Sequence, residues 1–352
     1  MKKDLLSGMG QLFMVGMPGT GADDQTLSLI REFNVGGIIF FSRNIEDPVQ
    51  IARLCRELQR EALKFWGVPL FLAVDQEGGR VARLREPFTA FPGNAAIADS
   101  DEPLKRAEEF GAVTAMEMKL VGLNMNLAPV VDVQRGELEK HLQGRTFGEN
   151  PEQVALLGRT VVRSLQENGI MAVAKHFPGL GQAKVDPHVH LPRIEATKEQ
   201  IERMNLVPFK AAIDQRVAGI MSSHAIYAAL DPERPATLSG EVLTHLLRDI
   251  MNFQGLIITD DLEMGAIAGQ RPVGDAALLA FQAGADTLLI CKGQGHVAEG
   301  FRLLRDRLTQ GQIPEERLVQ SLRRIESTKA RFLGKKEEIS LARVKEYFRR
   351  SA

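Results

Sequence analysis

Short runs of apolar residues recur along the chain, and glycine, proline or polar turn residues bound each of them. The runs are apolar throughout and do not alternate with polar residues, which is typical of strands buried on both faces of a parallel sheet. We interpret them as eight strands, at residues 11–16, 37–41, 70–74, 125–130, 172–175, 218–222, 255–259 and 285–290.

Stretches with helical periodicity separate these runs. The clearest lie at 48–63, 102–121, 151–167, 198–215 and 240–251, and residues 296–309 predict a helix after the last strand. The alternation predicts an α/β protein with a single (β/α)8 TIM-type barrel. An open doubly wound sheet is the alternative, but the Gly-rich segment 16–21 has neither of the phosphate-binding orders, GxGxxG or GxxxxGK(S/T), that would favour it.

Residues 1–352 are predicted to form one domain, with the barrel over about residues 10–310 and additional helices over about 311–352, the clearest at 314–333 and 341–350. The chain is 44% hydrophobic and 25% charged, an ordinary soluble composition. A formal net charge of −1 provides no positive field for nucleic acid, and no apolar run approaches the ~20 residues of a membrane-spanning helix. We therefore predict neither nucleic-acid nor membrane partners, while the oligomeric state stays open.

Two features favour a cytoplasmic location. The lysines near the start of the chain are not followed by the apolar segment that a secretory signal requires. The two cysteines, Cys55 and Cys291, fit free thiols in a reducing compartment.

Side chains that can take part in catalysis or ligand binding lie at or directly after the ends of five predicted strands. Active sites of such barrels lie at the carboxyl ends of the strands, so these side chains are expected to share one rim. They are Asp75 after the third strand, Asp132 after the fourth, Lys175 and His176 at the fifth, His224 after the sixth, and Asp260 with Asp261 after the seventh.

Asp260 is the candidate nucleophile of a retaining glycosidase. Such an enzyme needs a carboxylate on one side of the anomeric carbon and a proton donor on the other, and Asp260 directly follows an apolar strand that would fix its position. The alternative is that Asp260 caps the next helix. For Asp261 we prefer the structural interpretation, an acid in the first turn of that helix.

Asp186 and His188, two residues apart across Pro187, are the candidate acid/base pair. A carboxylate on one ring nitrogen orients the imidazole and stabilises its protonated form, so that it can donate and then accept a proton near neutral pH. Two polar residues of a solvated loop are the structural alternative. With His190 the pair also resembles a metal site, but the spacing is a weak ligand pattern and no HExxH or cysteine-pair motif occurs, so we predict no metal and no organic cofactor.

Four further residues are candidates for binding a sugar. Asp75 would accept hydrogen bonds from hydroxyl groups, and the glycines at 78 and 79 would let backbone approach a ligand. Arg145, Lys175 and His176 would donate to the same hydroxyls. Structural salt bridges are the alternative for each.

Several motifs together resemble glycoside hydrolase family 3, most closely its bacterial β-N-acetylglucosaminidase (beta-hexosaminidase) branch. They are GGIIFFSRN at 36–44, DQEGGR at 75–80, NLAPVVDV at 126–133, the loop KHFPGLG at 175–181 and AGAD at 283–286. The resemblance implies that Asp260 is the nucleophile, that Asp186 and His188 are the acid/base pair, and that the four binding candidates hold the terminal sugar. It also implies a small carbohydrate or muropeptide substrate from cell-wall recycling.

The expected activity is hydrolysis of terminal, non-reducing β-linked N-acetylglucosamine through a covalent glycosyl-aspartate intermediate. A β-glucosidase, a β-N-acetylglucosaminide phosphorylase of the same fold and a non-catalytic sugar-binding barrel stay open as alternatives. Two residues depart from the family pattern: Leu180 stands where the family usually has histidine, and Pro187 where its dyad has serine. We expect them to affect substrate range or loop mobility, and not the reaction class.

Overall fold

The computed structural model of the protein describes residues 6–136, 139–334 and 338–350. Predictions that fall on residues 1–5, and on 335–337 and 351–352 of the C-terminal extension, therefore lie outside the described residues. In the part of the chain that is described, no helix has both the length and the apolar character needed to cross a bilayer.

Eight parallel strands form the centre of the fold. The strands are β1 Phe13–Gly16, β2 Gly37–Phe40, β3 Phe71–Val74, β4 Met125–Asn126, β5 Met171–Phe177, β6 Gly219–Ser222, β7 Leu256–Ile258 and β8 Leu288–Ile290. Each pairs with its neighbour in the order β7-β6-β5-β4-β3-β2-β1-β8, and a bridge between Ile258 and Thr287 brings β7 beside β8 to close the ring. The predicted (β/α)8 barrel is thus confirmed.

Every residue of these eight strands is buried, as the continuous apolar runs predicted. Several boundaries differ from the prediction. Residues 11 and 12 belong to the 3-10 helix Met9–Leu12, and β8 begins only at Leu288. β4 ends at Asn126 and is followed by an isolated bridge between Val130 and Lys175 of β5.

Helices surround the barrel, and capping residues in the sequence determine where helices such as Pro48–Trp66 begin and end. Asp47 caps the N-terminus of Pro48–Trp66 by accepting from two backbone N–H groups, Pro48 occupies the first turn, and Gly67 ends the helix with a φ of 68°. The helices are Asp24–Phe33, Pro48–Trp66, Asn94–Ala98, Pro103–Leu120, Pro151–Glu167, Lys198–Gln200 continuing through Ile201–Asn205 into Leu206–Asp214, Glu241–Ile250, Gly265–Ala268, Val273–Ala283, Gln294–Thr309, Glu315–Leu333 and Leu341–Arg350.

Short strands that the sequence pattern did not reveal extend the carboxyl rim of the barrel. Gln76–Gly78 pairs with Val81–Ala82 directly after β3. Arg193–Ile194, Ile226–Tyr227 and Asp231–Pro235 form a second small sheet after β5 and β6. These additions hold the residues that follow the barrel strands in fixed positions.

The helix Glu315–Leu333 places a buried lysine at the opposite, amino-terminal end of the barrel. Lys329 Nζ donates to Gln11 Oε1 at 2.5 Å and to the Gly36 carbonyl at 3.0 Å, and it lies 4.7 Å from the centre of the Phe71 ring. Burial lowers the pKa of Lys329 from its usual 10.5 to about 7. Folding therefore favours the neutral amine.

As the pH rises from 7 to 10, the unfolding free energy of the wild type is expected to increase relative to that of a Lys329→Met variant. Between the two pKa values the unfolded chain binds the proton and the folded chain does not, so the penalty of the lysine is largest at the low end of this window. The difference should change by about 1 kcal/mol per pH unit. Denaturant unfolding at each pH measures it, and a difference independent of pH would contradict the prediction.

Candidate active site

Three of the four predicted sugar-binding residues meet in one ion-pair network at the carboxyl rim. Lys175 Nζ lies 2.7 Å from Asp75 Oδ1 and 2.6 Å from Glu77 Oε1. Arg145 contacts both Glu77 oxygens, through Nε and Nη2, each at 2.8 Å. The central carboxylate of Glu77 thus orients both cations.

The network fixes the charge of its members. Burial alone would raise the pKa of Glu77, but Lys175 and Arg145 outweigh it and hold that pKa well below its usual range. Burial likewise opposes the charge of Lys175, and the carboxylates of Asp75 and Glu77 raise its pKa above the ordinary value. Glu77 and Lys175 are therefore ionised at neutral pH, so the rim offers a ligand charged groups in fixed positions.

His176, the fourth predicted binding residue, forms a separate pair with Asp132. Its Nδ1 lies 2.8 Å from Asp132 Oδ2, and the N–H groups of His176 and Leu180 donate to Oδ1 at 3.1 and 2.6 Å. Burial would raise the pKa of Asp132, but His176 and these N–H groups lower it. An ionised carboxylate only accepts, so the hydrogen sits on Nδ1 of His176 and Nε2 is left for a ligand.

Asp260 follows β7 and is partly buried. Its Oδ1 accepts from the N–H of Asp261 at 2.8 Å. Burial would raise the pKa of Asp260, but the fields of His224, His176 and Lys175 and this hydrogen bond lower it below its usual value. The carboxylate is therefore anionic and close to three basic groups from β5 and β6.

His224 supports this segment from the end of β6. Its Nε2 lies 2.9 Å from the carbonyl oxygen of Asp261, and its Nδ1 lies 2.8 Å from the hydroxyl of Thr237. Burial lowers the pKa of His224, against the opposing field of Asp260, and Nε2 donates to the carbonyl oxygen of Asp261. This contact fixes the backbone next to Asp260.

The interpretation of Asp261 as an acid in the first turn of the following helix is wrong. That helix, Gly265–Ala268, begins four residues later. Asp261 Oδ1 instead accepts from the N–H of Glu263 at 3.1 Å and of Cys291 at 3.3 Å, and burial raises its pKa to about 6. Its side chain ties the turn after β7 to the end of β8.

Asp186 and His188, the residues predicted to act as the acid/base pair, are hydrogen-bonded to each other in the structure. His188 Nδ1 lies 2.7 Å from Asp186 Oδ1, and the N–H groups of Val189 and His190 close the turn onto the Asp186 carbonyl. Burial would raise the pKa of Asp186, but its contacts with His188 lower it, so Asp186 is anionic and Nδ1 of His188 carries a hydrogen. The His188 side chain is 60% exposed, and its Nε2 can reach a ligand.

The residues that could bind a metal together with Asp186 differ from His188 and His190, which the sequence suggested. Within the described ranges, the group whose ligand atoms lie within 4.8 Å of one another is Glu139, His141 and Asp186. His141 pairs with Glu139 and its ring packs edge-on against His188, with 6.0 Å between the ring centres. His190 is not part of this group.

Two residues of the site were missed by the sequence interpretation. Glu77 is not among the residues that the sequence indicates, although a buried glutamate beside two glycines at a strand end requires a cation as its partner. Arg83 lies with its Nη2 3.6 Å from Asp75 Oδ2 on the same rim.

Leu180, one of the two departures from the family pattern, is buried in the hydrophobic core, and the prediction that it affects loop behaviour stays a prediction.

Comparison with known families decides the classification. The model of the glycosyl hydrolase family 3 N terminal domain matches residues 5–328. The chain belongs to glycosyl hydrolase family 3. This family 3 chain is therefore a glycosidase, as the resemblance of its motifs predicted.

Relatives of this family 3 glycosidase share both sequence and structure with it. A protein named beta-hexosaminidase from Pseudomonas aeruginosa is 40% identical over 281 residues, which cover 79% of this chain and 81% of the relative. The family 3 beta-N-acetylglucosaminidase of Paenibacillus sp. str. FPU-7 superimposes with a TM-score of 0.93 at 36% identity, over 99% of this chain and 68% of that one. NagZ of Neisseria gonorrhoeae in complex with N-trifluoroacetyl-D-glucosamine gives 0.80 at 27% identity, over 97% and 95% of the two chains.

Proposed function

We propose that this glycosidase hydrolyses terminal, non-reducing β-linked N-acetylglucosamine with retention of configuration. The observation that carries the proposal is the hydrogen-bonded pair of Asp186 and His188 beside a barrel rim that presents an anionic Asp260. A nucleophile and a separate proton donor are what the retaining reaction requires. The names of the relatives, beta-hexosaminidase and beta-N-acetylglucosaminidase, support an acetamido sugar as the substrate.

In the first step, Asp260 attacks the anomeric carbon while the protonated imidazole of His188 donates its Nε2 proton to the departing oxygen. The result is a glycosyl-aspartate, with the aglycone released as an alcohol. In the second step, Nε2 of the now neutral His188 accepts a proton from water, whose oxygen replaces the aspartate at the anomeric carbon. Asp186 stabilises the imidazolium before the first step and after the second, and between the two steps it holds the neutral ring in one tautomer.

The sugar would be held by the groups that surround this pair. Asp75 keeps part of its carboxylate accessible and would accept from a hydroxyl, while Lys175 and Arg145 are fixed by Glu77 and would donate. His176 would present Nε2 as a further hydrogen-bonding group. No step of the proposed reaction calls for a metal or an organic cofactor. The natural substrate in this proposal is a small carbohydrate, such as a muropeptide fragment of the cell wall, degraded in the cytoplasm.

The test is hydrolysis of 4-nitrophenyl N-acetyl-β-glucosaminide and of the matching β-glucoside by the wild type and by His188→Ala. We expect turnover of the acetamido substrate, little of the glucoside, and a fall in kcat of roughly 10²- to 10⁴-fold in the variant, because the second step loses the base that activates water whatever the leaving group, and a positioned general base contributes about that much. His245→Ala, which removes an exposed histidine from the helix Glu241–Ile250, is the control and should behave as the wild type.

The possible outcomes separate the parts of the proposal. Preference for the glucoside would overturn the substrate and keep the reaction. Full activity of His188→Ala would remove the acid/base pair, and binding without turnover would indicate a sugar-binding barrel. Formation of N-acetylglucosamine phosphate in phosphate buffer would indicate a phosphorylase.

A further inference from the structure

The loop that carries the acid/base pair, residues 182–191, is attached to the segment that follows Asp260. The N–H of Gly265 donates to the carbonyl oxygen of His188 at 2.9 Å, and the N–H of Ala266 donates to that of Pro187 at 3.1 Å. Both donors lie in the first turn of the helix Gly265–Ala268, where N–H groups have no partner inside their own helix. The loop therefore provides acceptors for both N–H groups, and one of these hydrogen bonds fixes its backbone at His188.

This attachment leaves no room for a side chain at position 265. A Cβ on Gly265 would lie 2.7 Å from the carbonyl oxygens of both His188 and Val189. These are backbone atoms, so a side-chain rotation cannot relieve the contact. Gly265 does not have a positive φ, so its backbone conformation does not require glycine. Glycine is required at this position because the loop approaches it so closely.

The same segment leads directly back to the candidate nucleophile. The N–H of Met264 donates to the carbonyl oxygen of Asp261 at 3.0 Å, which closes the turn between Asp260 and Gly265. His224 donates to that same carbonyl oxygen. One short, internally bonded segment thus holds both the carboxylate of Asp260 and the loop of His188.

We propose that Gly265 is a positioning residue that sets where the His188 imidazole stands relative to Asp260. The inference rests on the proposed function, in which these two groups act on opposite sides of one anomeric carbon. Any side chain at 265 would push the loop outward and leave Asp260 in place. The proton donor would then be misplaced while the nucleophile and the sugar-binding groups stay intact.

The test compares Gly265→Ala with the wild type on aryl N-acetyl-β-glucosaminides whose phenols differ in acidity. A weakly acidic phenol needs protonation to leave and a strongly acidic one does not, so a displaced donor slows the former most. We expect kcat/KM to fall about 10- to 100-fold for the least acidic phenol, as for a misplacement of about 1 Å, and by less than about 5-fold for the most acidic. Gly240→Ala is the control, because a Cβ there meets no atom within 4 Å and its φ is −64°.

A second comparison asks whether Gly265 acts through His188. If it does, Gly265→Ala should add little to the loss already caused by His188→Ala, since two changes to one interaction are not additive. A merely structural role would instead lower activity equally for all phenols and in both backgrounds. Either that pattern or a Gly265→Ala protein that behaves as Gly240→Ala would overturn the inference.

Failure of the proposed function has a different signature, since the wild type would then not cleave acetamido substrates or His188→Ala would retain full activity. If circular dichroism shows that Gly265→Ala does not fold, Ala266→Pro takes its place in the same assays. This variant removes the N–H donated to Pro187 at a first-turn position, where proline is tolerated. The same dependence on phenol acidity is expected, and its absence in a folded Ala266→Pro protein would equally overturn the inference.

Discussion

Asparagine in place of Asp260 is expected to lower kcat on aryl N-acetyl-β-glucosaminides by roughly 10³-fold or more. The amide has nearly the size of the carboxylate, so the pocket stays intact, but it carries no charge and cannot form the glycosyl ester. Because the pKa of Asp260 lies below its usual value, the wild-type carboxylate is ionised throughout the neutral range. The loss should therefore be the same at pH 6 and at pH 8.

Asp261→Asn is the matched control for this prediction. The Asp261 side chain accepts from the N–H groups of Glu263 and Cys291, and an amide oxygen can accept the same bonds. We expect less than about a tenfold loss in this variant. Equal losses in the two variants would mean that the first of the adjacent carboxylates has no special role.

Sodium azide distinguishes the nucleophile from the acid/base group by the anomer formed. In Asp260→Gly, azide can occupy the vacated space and displace the aglycone directly, which gives an α-glycosyl azide. In His188→Ala, azide attacks the glycosyl-aspartate that has already formed, and this second inversion gives the β-anomer. Nuclear magnetic resonance of the products separates them, and a β-azide from Asp260→Gly would remove the assignment of Asp260.

The barrel could be predicted because its strands are buried on both faces, so the chain marks each of them with an uninterrupted apolar run. The same runs located Asp75, Lys175 and Asp260, since each lies at the end of a strand or directly after it. Residues on a rigid strand end are positioned by the barrel itself. Their convergence on one rim follows from the fold, and the structure shows it.

Contacts made by the long loops could not be predicted in this way. Glu77 meets Arg145, which is 68 residues away, only because the loop after β4 turns back over the rim, and no periodicity encodes that path. The approach of His141 to Asp186 depends on the same loop. The interpretation of Asp261 fails because an acid that follows a strand resembles a residue in the first turn of the next helix, whereas its partners are the N–H groups of Glu263 in the following turn and of Cys291 directly after β8.

Replacing Glu77 with glutamine is expected to destabilise the fold by about 3–5 kcal/mol, because breaking a buried ion pair leaves uncompensated charge. Lys175 and Arg145 both contact the Glu77 carboxylate, and after the substitution Lys175 keeps its contact with Asp75 whereas Arg145 loses its ion pair. A loss of this size lowers the melting temperature of a chain this large by roughly 4–7 °C. Thermal and denaturant unfolding of the purified variant at pH 7 measure it.

Glu117→Gln is the matched control for Glu77→Gln, because Glu117 is also buried but accepts from neutral groups, the N–H and hydroxyl of Thr89. We expect a much smaller loss there. The dependence on pH gives a second check. The pKa of Glu77 lies far below its usual 4.5, so its stabilising charge is fully present above pH 4.5 and is lost as the pH falls below that value. The difference in unfolding free energy between the wild type and Glu77→Gln should be constant from pH 5 to 8 and should decrease in more acidic solution. Equal losses of unfolding free energy in the two glutamine variants at pH 7 would show that the cations do not depend on Glu77.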